Sequence, residues 1–347
     1  IAHSCNIAEM QYLKNISAIF SQNLGGNVSS SSVLAENLIS VPVLVFALGL
    51  LAALFKGDVR LPDPVYQAIS IFLLFGIGLK GGHSLKGVAI SDFALPAVTT
   101  IFLGALIPFL AFFILRVFTS FNRADRGAIA AHYGSTSLVT FSAAILFLES
   151  NSIFVEGFAP ALLTIMEIPG LIVGIFLASR SLTAKVGWAE TMREVLLGKT
   201  VLLLIGGLAI GFITSNQGYE KVSPFFVDLL SGFLVLFLIH LGYLAGSSFV
   251  EIKSVGRPLV IFAILFPILS GAIGVTAGSL IGLSVGGATM LGVLSASASY
   301  IAAPAAVSVA LPQASKTIAL MSSIGITFPF NLILGIPIYY RFAELLG

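Results

Sequence analysis

Charged residues are scarce in this chain, and their scarcity excludes most soluble folds. Only 9% of the 347 residues are Asp, Glu, Lys or Arg, whereas soluble globular domains carry about a quarter. The net charge of +2 is too small to indicate a nucleic-acid-binding surface. Because 57% of the residues are hydrophobic and the mean hydropathy is +1.06, the composition predicts an integral membrane protein.

Several residue types and motifs that build sites are also missing. Cys5 is the single cysteine, which excludes an intrachain disulfide and a cysteine-based metal cage. Alternating strands of about ten residues, which are typical of membrane barrels, do not occur. Neither does an HExxH motif, a Walker loop or a paired acidic motif. We therefore expect that the protein is not an enzyme.

Hydrophobic runs between polar, glycine or proline residues predict ten spans, since a membrane-crossing helix needs about 20 apolar residues. The runs lie at 39–55, 64–82, 93–116, 127–148, 157–179, 199–214, 223–247, 258–282, 287–310 and 317–340.

Lysine and arginine are unevenly distributed between the two sides of these spans. One side carries 12 of the 17 basic residues, among them Arg116, Arg123, Arg126 and Lys199. Because cytoplasmic loops are enriched in Lys and Arg, this side is predicted to be cytoplasmic. We therefore expect a multi-pass protein of the cell membrane with both termini extracytoplasmic.

The two halves of the chain share features in the same order. The sequences "GLKGGHSL" at Gly78 and "GYLAGSSF" at Gly242 end the second and seventh spans, and Pro169 aligns with Pro329 in the fifth and tenth. Because five is odd, the second half must enter the membrane from the opposite side, as in many transporters. We predict an all-α fold of ten helices in a 5+5 inverted repeat. Its units are an extracytoplasmic segment 1–38, a first repeat 39–180, a cytoplasmic linker 181–198 and a second repeat 199–347.

Hydroxyl residues cluster within the fourth and ninth spans, in "HYGSTSLVTFSA" and "SASASYIAAPAA". Such clusters weaken a helix, and backbone groups freed inside a membrane must be satisfied by protein, water or a ligand. A broken helix offers its N-terminus to an anion and its carbonyl and hydroxyl oxygens to sodium. Close helix packing is the alternative explanation. The candidate substrate-binding residues are Gly134, Ser135, Thr136, Ser297, Ser299 and Tyr300.

Glu167 lies near the middle of the fifth span, in "MEIPGLIVG". An isolated carboxylate is costly inside a bilayer, so we expect it to face the protein core, where it binds a cation, carries a proton or caps a neighbouring helix. With the hydroxyls of Ser137 and Thr140 it forms the predicted sodium site. No cofactor is expected besides Na+ as the coupling ion.

Four motifs resemble, in order, those of the SbtA-type sodium-dependent bicarbonate transporter superfamily: "FLLFGIGLKGGHSL", "AAHYGSTSLVTFSAA", "MEIPGLIVG" and "SASASYIAAPAA". The resemblance implies core and gate domains, sodium-driven import of bicarbonate and a homotrimer. It also implies a PII-like cytosolic regulator, because such a protein inhibits cyanobacterial members. Well-known cyanobacterial members have Asp at the positions of Glu167 and Tyr300, so this chain resembles a different subgroup.

Three other functions compete with bicarbonate import. A sodium-coupled carrier of another small organic anion would have the same fold with a different pocket lining. A channel is less consistent with two-copy internal symmetry, which favours alternating access. An intramembrane enzyme lacks a supporting motif.

Overall fold

The computed structural model describes residues 30–179, 186–249 and 256–347, and within these ranges all regular structure is helical, without a strand. The helices, numbered in chain order, are α1 Ser30–Leu38, α2 Val41–Leu54, α3 Asp63–Leu85, α4 Ile90–Phe118, α5 Arg123–Gly134, α6 Leu138–Ser150, α7 Ala159–Ser179, α8 Trp188–Leu197, α9 Lys199–Ile213, α10 Asn216–Phe226, α11 Leu230–Phe249, α12 Arg257–Leu280, α13 Val285–Ala296, α14 Ala302–Ala310 and α15 Lys316–Leu346.

Seven helical segments of the described chain are long and apolar enough to cross a membrane. They comprise α3, α4, α5 with α6, α7, α10 with α11, α12, and α15. The pair α8 and α9 meets the same criteria together but is bent by 48°, which gives eight segments at most. The all-helical, multi-pass membrane prediction is therefore confirmed, whereas ten spans in an inverted repeat stay a prediction.

The fourth and ninth predicted spans are each divided into two helices. In the fourth, α5 ends at Gly134 and α6 begins at Leu138. In the ninth, α13 ends at Ala296 and α14 begins at Ala302. Both interruptions coincide with the hydroxyl clusters. The seventh predicted span is also interrupted, between α10 and α11, and hydropathy alone did not indicate this break.

Serine side chains cap the second helix after each break. Ser137 Oγ accepts a hydrogen bond from the backbone N–H of Thr140 at 3.2 Å. Ser299 Oγ accepts from the N–H groups of Ala302 and Ala303, each at 3.3 Å. The first N–H groups of a helix have no partner within it, so a serine oxygen at this position satisfies them. The hydroxyls therefore allow each helix to restart inside an apolar environment.

Glycines bring two helix pairs into backbone contact. A Cβ atom at Gly78 or Gly82 of α3 would lie 2.7 or 2.0 Å from a carbonyl oxygen of α9. A Cβ atom at Gly242 or Gly246 of α11 would lie 2.1 or 2.7 Å from a carbonyl oxygen of α2. Only glycine permits such close approach. Helix α11 also contacts α3, so α2, α3, α9 and α11 form one packed group beside the group that holds the breaks.

Helix α15 is regular at its ends but widened in the middle. Met321–Thr327 and Asn331–Gly335 form π-helical turns on either side of Phe328–Phe330. Such turns are rare and frequently occur at functional sites. The sequence predicted a continuous helix at 317–340, and the wide turns place Thr327 and Asn331 beside the helix breaks.

Two predicted units lie only partly within the described residues. Of the segment 1–38, residues 1–29 lie outside them and the remainder contains α1. Of the linker 181–198, residues 181–185 lie outside them and most of the remainder is α8. Thr191 and Val195 of α8 are buried, and the helix packs against α14. The linker is thus largely an amphipathic helix seated on the second half of the ninth predicted span.

Candidate functional site at the two helix breaks

The two breaks are joined by direct hydrogen bonds. The backbone N–H of Ser137 donates to Ser297 Oγ at 3.0 Å. The N–H of Ser299 donates to the carbonyl oxygens of His132 and Ser135, at 2.7 and 3.0 Å. Each break therefore satisfies backbone groups that the other leaves without helical partners. The two hydroxyl clusters, which are about 160 residues apart in sequence, form a single structural unit.

Glu167 is attached to this unit through one of its two carboxylate oxygens. Its Oε2 accepts from the N–H of Thr136 at 3.0 Å and from Thr136 Oγ1 at 2.8 Å. The side chain is 1% exposed, and Oε1 is buried without a hydrogen-bond partner in the described structure. A buried carboxylate with an unpartnered oxygen is costly, because charge in a low-dielectric interior requires compensation. The free oxygen is therefore available to a cation or a proton.

The other two predicted sodium ligands lie at the start of α6, where Ser137 precedes the helix and Thr140 is in its first turn. Thr140 Oγ1 donates to Ser137 Oγ at 2.9 Å, and both side chains are buried. The structure thus brings Ser137, Thr140 and Glu167 into one region, with Thr136 as the residue that connects the carboxylate to the break. No group of three or more His, Cys, Asp or Glu side chains within the described ranges could hold a metal ion, so any cation here must use hydroxyl and carbonyl oxygens as well.

The predicted substrate-binding residues are all buried but differ in what their side chains do. Ser135 Oγ and Tyr300 OH have no hydrogen-bond partner in the described structure. The hydroxyls of Thr136, Ser297 and Ser299 are engaged in the contacts between and within the breaks. The Ser135 hydroxyl lies near Glu167 and the Tyr300 hydroxyl near Ser137, so both are placed to contact a ligand at the site, whereas the other three maintain the geometry of the breaks.

Gly134 has a packing function that the sequence did not reveal. A Cβ atom there would lie 2.7 Å from Pro108 and 2.9 Å from the Cα of Gly170. Conversely, a Cβ atom at Gly170 would lie 1.8 Å from the carbonyl oxygen of Gly134. The end of α5 is therefore held tightly against α4 and α7, which fixes the position of the first break.

Two cavities lie toward opposite ends of α3. One has a volume of about 490 Å³, and its lining includes Tyr300, Asp63 and Lys199. The other has a volume of about 340 Å³, and its lining includes Lys80 and Phe141. Asp63 and Lys80 are separated by roughly 25 Å along α3, at 1.5 Å per residue. The first cavity reaches the second break at Tyr300, while the lining of the other contains no residue of either break.

Asn331 is a residue at the breaks that the sequence patterns did not predict. This side chain is fully buried; its Nδ2 donates to the carbonyl oxygen of Ala296, at the end of α13, at 2.8 Å. Its Oδ1 accepts from Tyr339 OH, also at 2.8 Å. A lone amide in the apolar sequence "FPFNLILG" was the available signal, because polar groups inside a span are costly and need partners.

Thr327, which aligns with Glu167, also lies at the breaks. Its Oγ1 is 2.6 Å from Tyr133 OH, on α5, and donates to the carbonyl oxygen of Ala263 at 2.7 Å. The fifth and tenth predicted spans therefore both support the breaks, but only Glu167 brings an acidic group.

The helix ends at this site present both signs of partial charge. The C-termini of α5 and α13 carry partial negative charge, and the N-termini of α6 and α14 carry partial positive charge. With a carboxylate oxygen and free hydroxyls nearby, the arrangement can accept a small cation and a small anion side by side.

Comparison with known protein families gives one match. Residues 42–344 match the model of the Na+-dependent bicarbonate transporter superfamily. No curated protein matches the chain.

Proposed function

The chain belongs to the Na+-dependent bicarbonate transporter superfamily, and we propose that it is a sodium-coupled secondary transporter that imports bicarbonate by alternating access. The observation that carries this proposal is the pairing of two helix breaks around a buried carboxylate with a free oxygen. Membership of a transporter family also supports transport rather than catalysis. The membrane would be the cell membrane.

Sodium would bind on the Glu167 side of the breaks. Hard cations prefer oxygen ligands, and the residues proposed as ligands are Ser137, Thr140 and Glu167. Sodium at Glu167 Oε1 would neutralise the buried charge and contact the carboxylate oxygen that accepts no hydrogen bond in the described structure. Binding the cation would in turn make the site less repulsive to an anion, which is a physical basis for coupling the two.

Bicarbonate would bind at the joined breaks, beside the helix N-termini of α6 and α14. The free hydroxyls of Ser135 and Tyr300 are suited to donate to its oxygens. Gly134, Thr136, Ser297 and Ser299 would contribute backbone groups and hold the breaks in place. Positive helix ends and hydroxyl donors are favourable surroundings for an anion.

The proposed inverted repeat is supported by contacts that occur in pairs. The aligned glycines of α3 and α11 both pack on carbonyl oxygens, of α9 and α2 respectively. At the ends of the broken spans, Ser315 N–H donates to Asp125 and Ser284 N–H donates to Glu156, each at 2.7 Å. The contact between α3 and α9 thus has its counterpart between α11 and α2. The contact between α5 and the start of α15 has its counterpart between the start of α13 and the start of α7, as an inverted repeat requires.

Alternating access is supported by a difference between the two cavities, because one of them reaches a helix break and the other does not. The cavity that reaches Tyr300 opens on the side of Lys199, which the basic-residue bias assigns to the cytoplasm. The conformation would therefore be inward-open, with both termini outside. A reporter fused at Gly347 tests this orientation, since cytoplasmic behaviour of the reporter contradicts it.

A homotrimer and a PII-like cytosolic regulator remain part of the proposal. Helix α8 supports regulation, because it packs directly on α14 and faces the predicted cytoplasm. A partner that contacts α8 would be linked to the second break. Mass photometry of the purified protein tests the trimer, and unchanged uptake in the presence of such a protein argues against this regulation.

A carrier of a larger organic anion is the second candidate. A cavity of about 490 Å³ bordered by the aromatic ring of Tyr300 is within the size range of sites for molecules larger than bicarbonate. This observation favours an organic acid as the alternative substrate.

Radiolabelled bicarbonate uptake into proteoliposomes, with and without an inward sodium gradient, tests both candidates. Accumulation only with the gradient is the expected result. Equal uptake in both conditions contradicts sodium coupling. No bicarbonate uptake, together with gradient-dependent uptake of a labelled monocarboxylate, favours the second candidate.

A further inference from the structure

Three arginines converge on one small cavity at the membrane face predicted to be cytoplasmic. Arg116 lies in the last turn of α4, and Arg123 and Arg126 lie in the first turn of α5. The cavity has a volume of about 240 Å³ and is lined by Phe112, Phe113, Arg116, Arg123, Arg126 and Leu177. Its walls therefore consist of guanidinium groups and hydrocarbon.

The acidic residue nearest to this cluster in sequence, Asp125, is engaged elsewhere, because it accepts hydrogen bonds from Ser315 N–H and Asn122 Nδ2. Among the described residues, none of the three arginines forms an ion pair. The guanidinium carbons of Arg123 and Arg126 lie 5.6 and 5.5 Å from the centre of the same ring, that of Phe112. All three guanidinium groups also border the same small cavity, and because like charges repel one another, an anion in the cavity would relieve the repulsion.

Helix capping explains only part of the cluster. Arg123 Nε donates to the carbonyl oxygen of Leu177 at 2.8 Å, near the end of α7. Arg126 Nε is buried and has no hydrogen-bond partner in the described structure, and Arg116 makes no side-chain hydrogen bond there. Two of the three guanidinium groups thus retain donors for a ligand.

The surroundings of the cavity indicate which anion fits. On α4, the side chains of Phe109, Phe113 and Val117 are 45%, 37% and 75% exposed and present an apolar surface to the lipid. Guanidinium groups bind phosphate through paired hydrogen bonds. We propose that this cavity binds the phosphate of an anionic phospholipid, with the acyl chains lying along α4. Basic clusters between membrane helices are known to bind such headgroups.

The experiment uses the purified full-length chain in detergent and native mass spectrometry. The probes are dioleoyl-phosphatidylglycerol, dioleoyl-phosphatidylcholine and inorganic phosphate. We expect phosphatidylglycerol to bind more tightly than phosphatidylcholine. Its affinity should fall about fivefold in each of Arg116→Gln and Arg126→Gln, and about 25-fold in the double variant. Arg257→Gln is the matched control, because Arg257 is an exposed arginine on the same predicted face, outside the cavity.

Each alternative outcome overturns the proposal. An equal loss in Arg257→Gln means that the lipid responds only to overall surface charge. Inorganic phosphate is added at roughly 10 mM, which is a large excess over the lipid. If it displaces phosphatidylglycerol, the site binds a soluble anion. An unchanged affinity in Arg116→Gln excludes the cluster even if the Arg126 variant fails to fold, since Arg116 is exposed.

Discussion

Removing the charge of Glu167 should weaken sodium binding without disrupting the fold. One carboxylate oxygen accepts both hydrogen bonds from Thr136, at 3.0 and 2.8 Å. In Glu167→Gln the amide oxygen can keep both bonds, and the amide nitrogen takes the place of the free Oε1. We therefore expect the stability of the folded protein to change by less than about 1 kcal/mol.

The effect on sodium follows from the lost charge. A unit charge about 4 Å from the ion contributes roughly 4 kcal/mol at an effective dielectric constant of 20. The cost of dehydrating the carboxylate offsets part of this gain, and the glutamine retains a carbonyl dipole. A net loss of about 1–3 kcal/mol remains, so the sodium concentration for half-maximal uptake should rise roughly 5- to 150-fold. Glu167→Asp keeps the charge and should be milder.

The assay is a sodium titration of bicarbonate uptake into proteoliposomes, and Glu156→Gln is its matched control. Glu156 also accepts a backbone N–H and a hydroxyl from one residue, Ser284, but both of its oxygens are engaged. The control should leave the sodium dependence unchanged. If Glu167→Gln also leaves it unchanged and only reduces the amount of folded protein, Glu167 is a structural carboxylate and the coupling ion is held by hydroxyls and carbonyls alone.

Three further predictions concern the breaks themselves. Ser137→Ala and Ser299→Ala each remove a helix cap, so thermal unfolding should show a loss of about 1 kcal/mol. Sodium-driven uptake should fall as well. If either variant transports like wild type across a sodium titration, its hydroxyl serves helix packing and not ion binding. Gly170→Ala places a methyl group 1.8 Å from the carbonyl oxygen that ends α5 and should destabilise the protein by about 1–3 kcal/mol. Gly206→Ala is the control and should not destabilise the protein, because a methyl group there would enter open space. Equal melting temperatures of the two variants would refute the close contact between Gly170 and Gly134. Asn331→Leu leaves the Ala296 carbonyl and the Tyr339 hydroxyl without partners. We expect a loss of stability of roughly 1–3 kcal/mol for each group, and a melting temperature unchanged from wild type would contradict this.

The sequence predicted the breaks in the fourth and ninth spans but not how these two breaks are joined. Gly, Ser and Thr act on the helix that contains them, so a cluster such as residues 134–137 indicates a local interruption. The bond between Ser137 and Ser297 links residues far apart in the chain, and no local pattern encodes it. The burial of Glu167 followed from its depth in a span, whereas its attachment to Thr136 depended on how α7 packs beside the break.

The sequence by itself determined that this is an all-helical membrane protein of a transporter family, because hydropathy and ordered motifs are properties of the linear chain. Only the tertiary structure decided which hydroxyls are free, as in Ser135 and Tyr300, and which hold the breaks. It also placed Asn331 at the end of α13 and brought three arginines to the lining of one cavity. The physical reason is that a polar group inside a membrane must find a partner, and packing rather than sequence spacing decides which partner lies within reach.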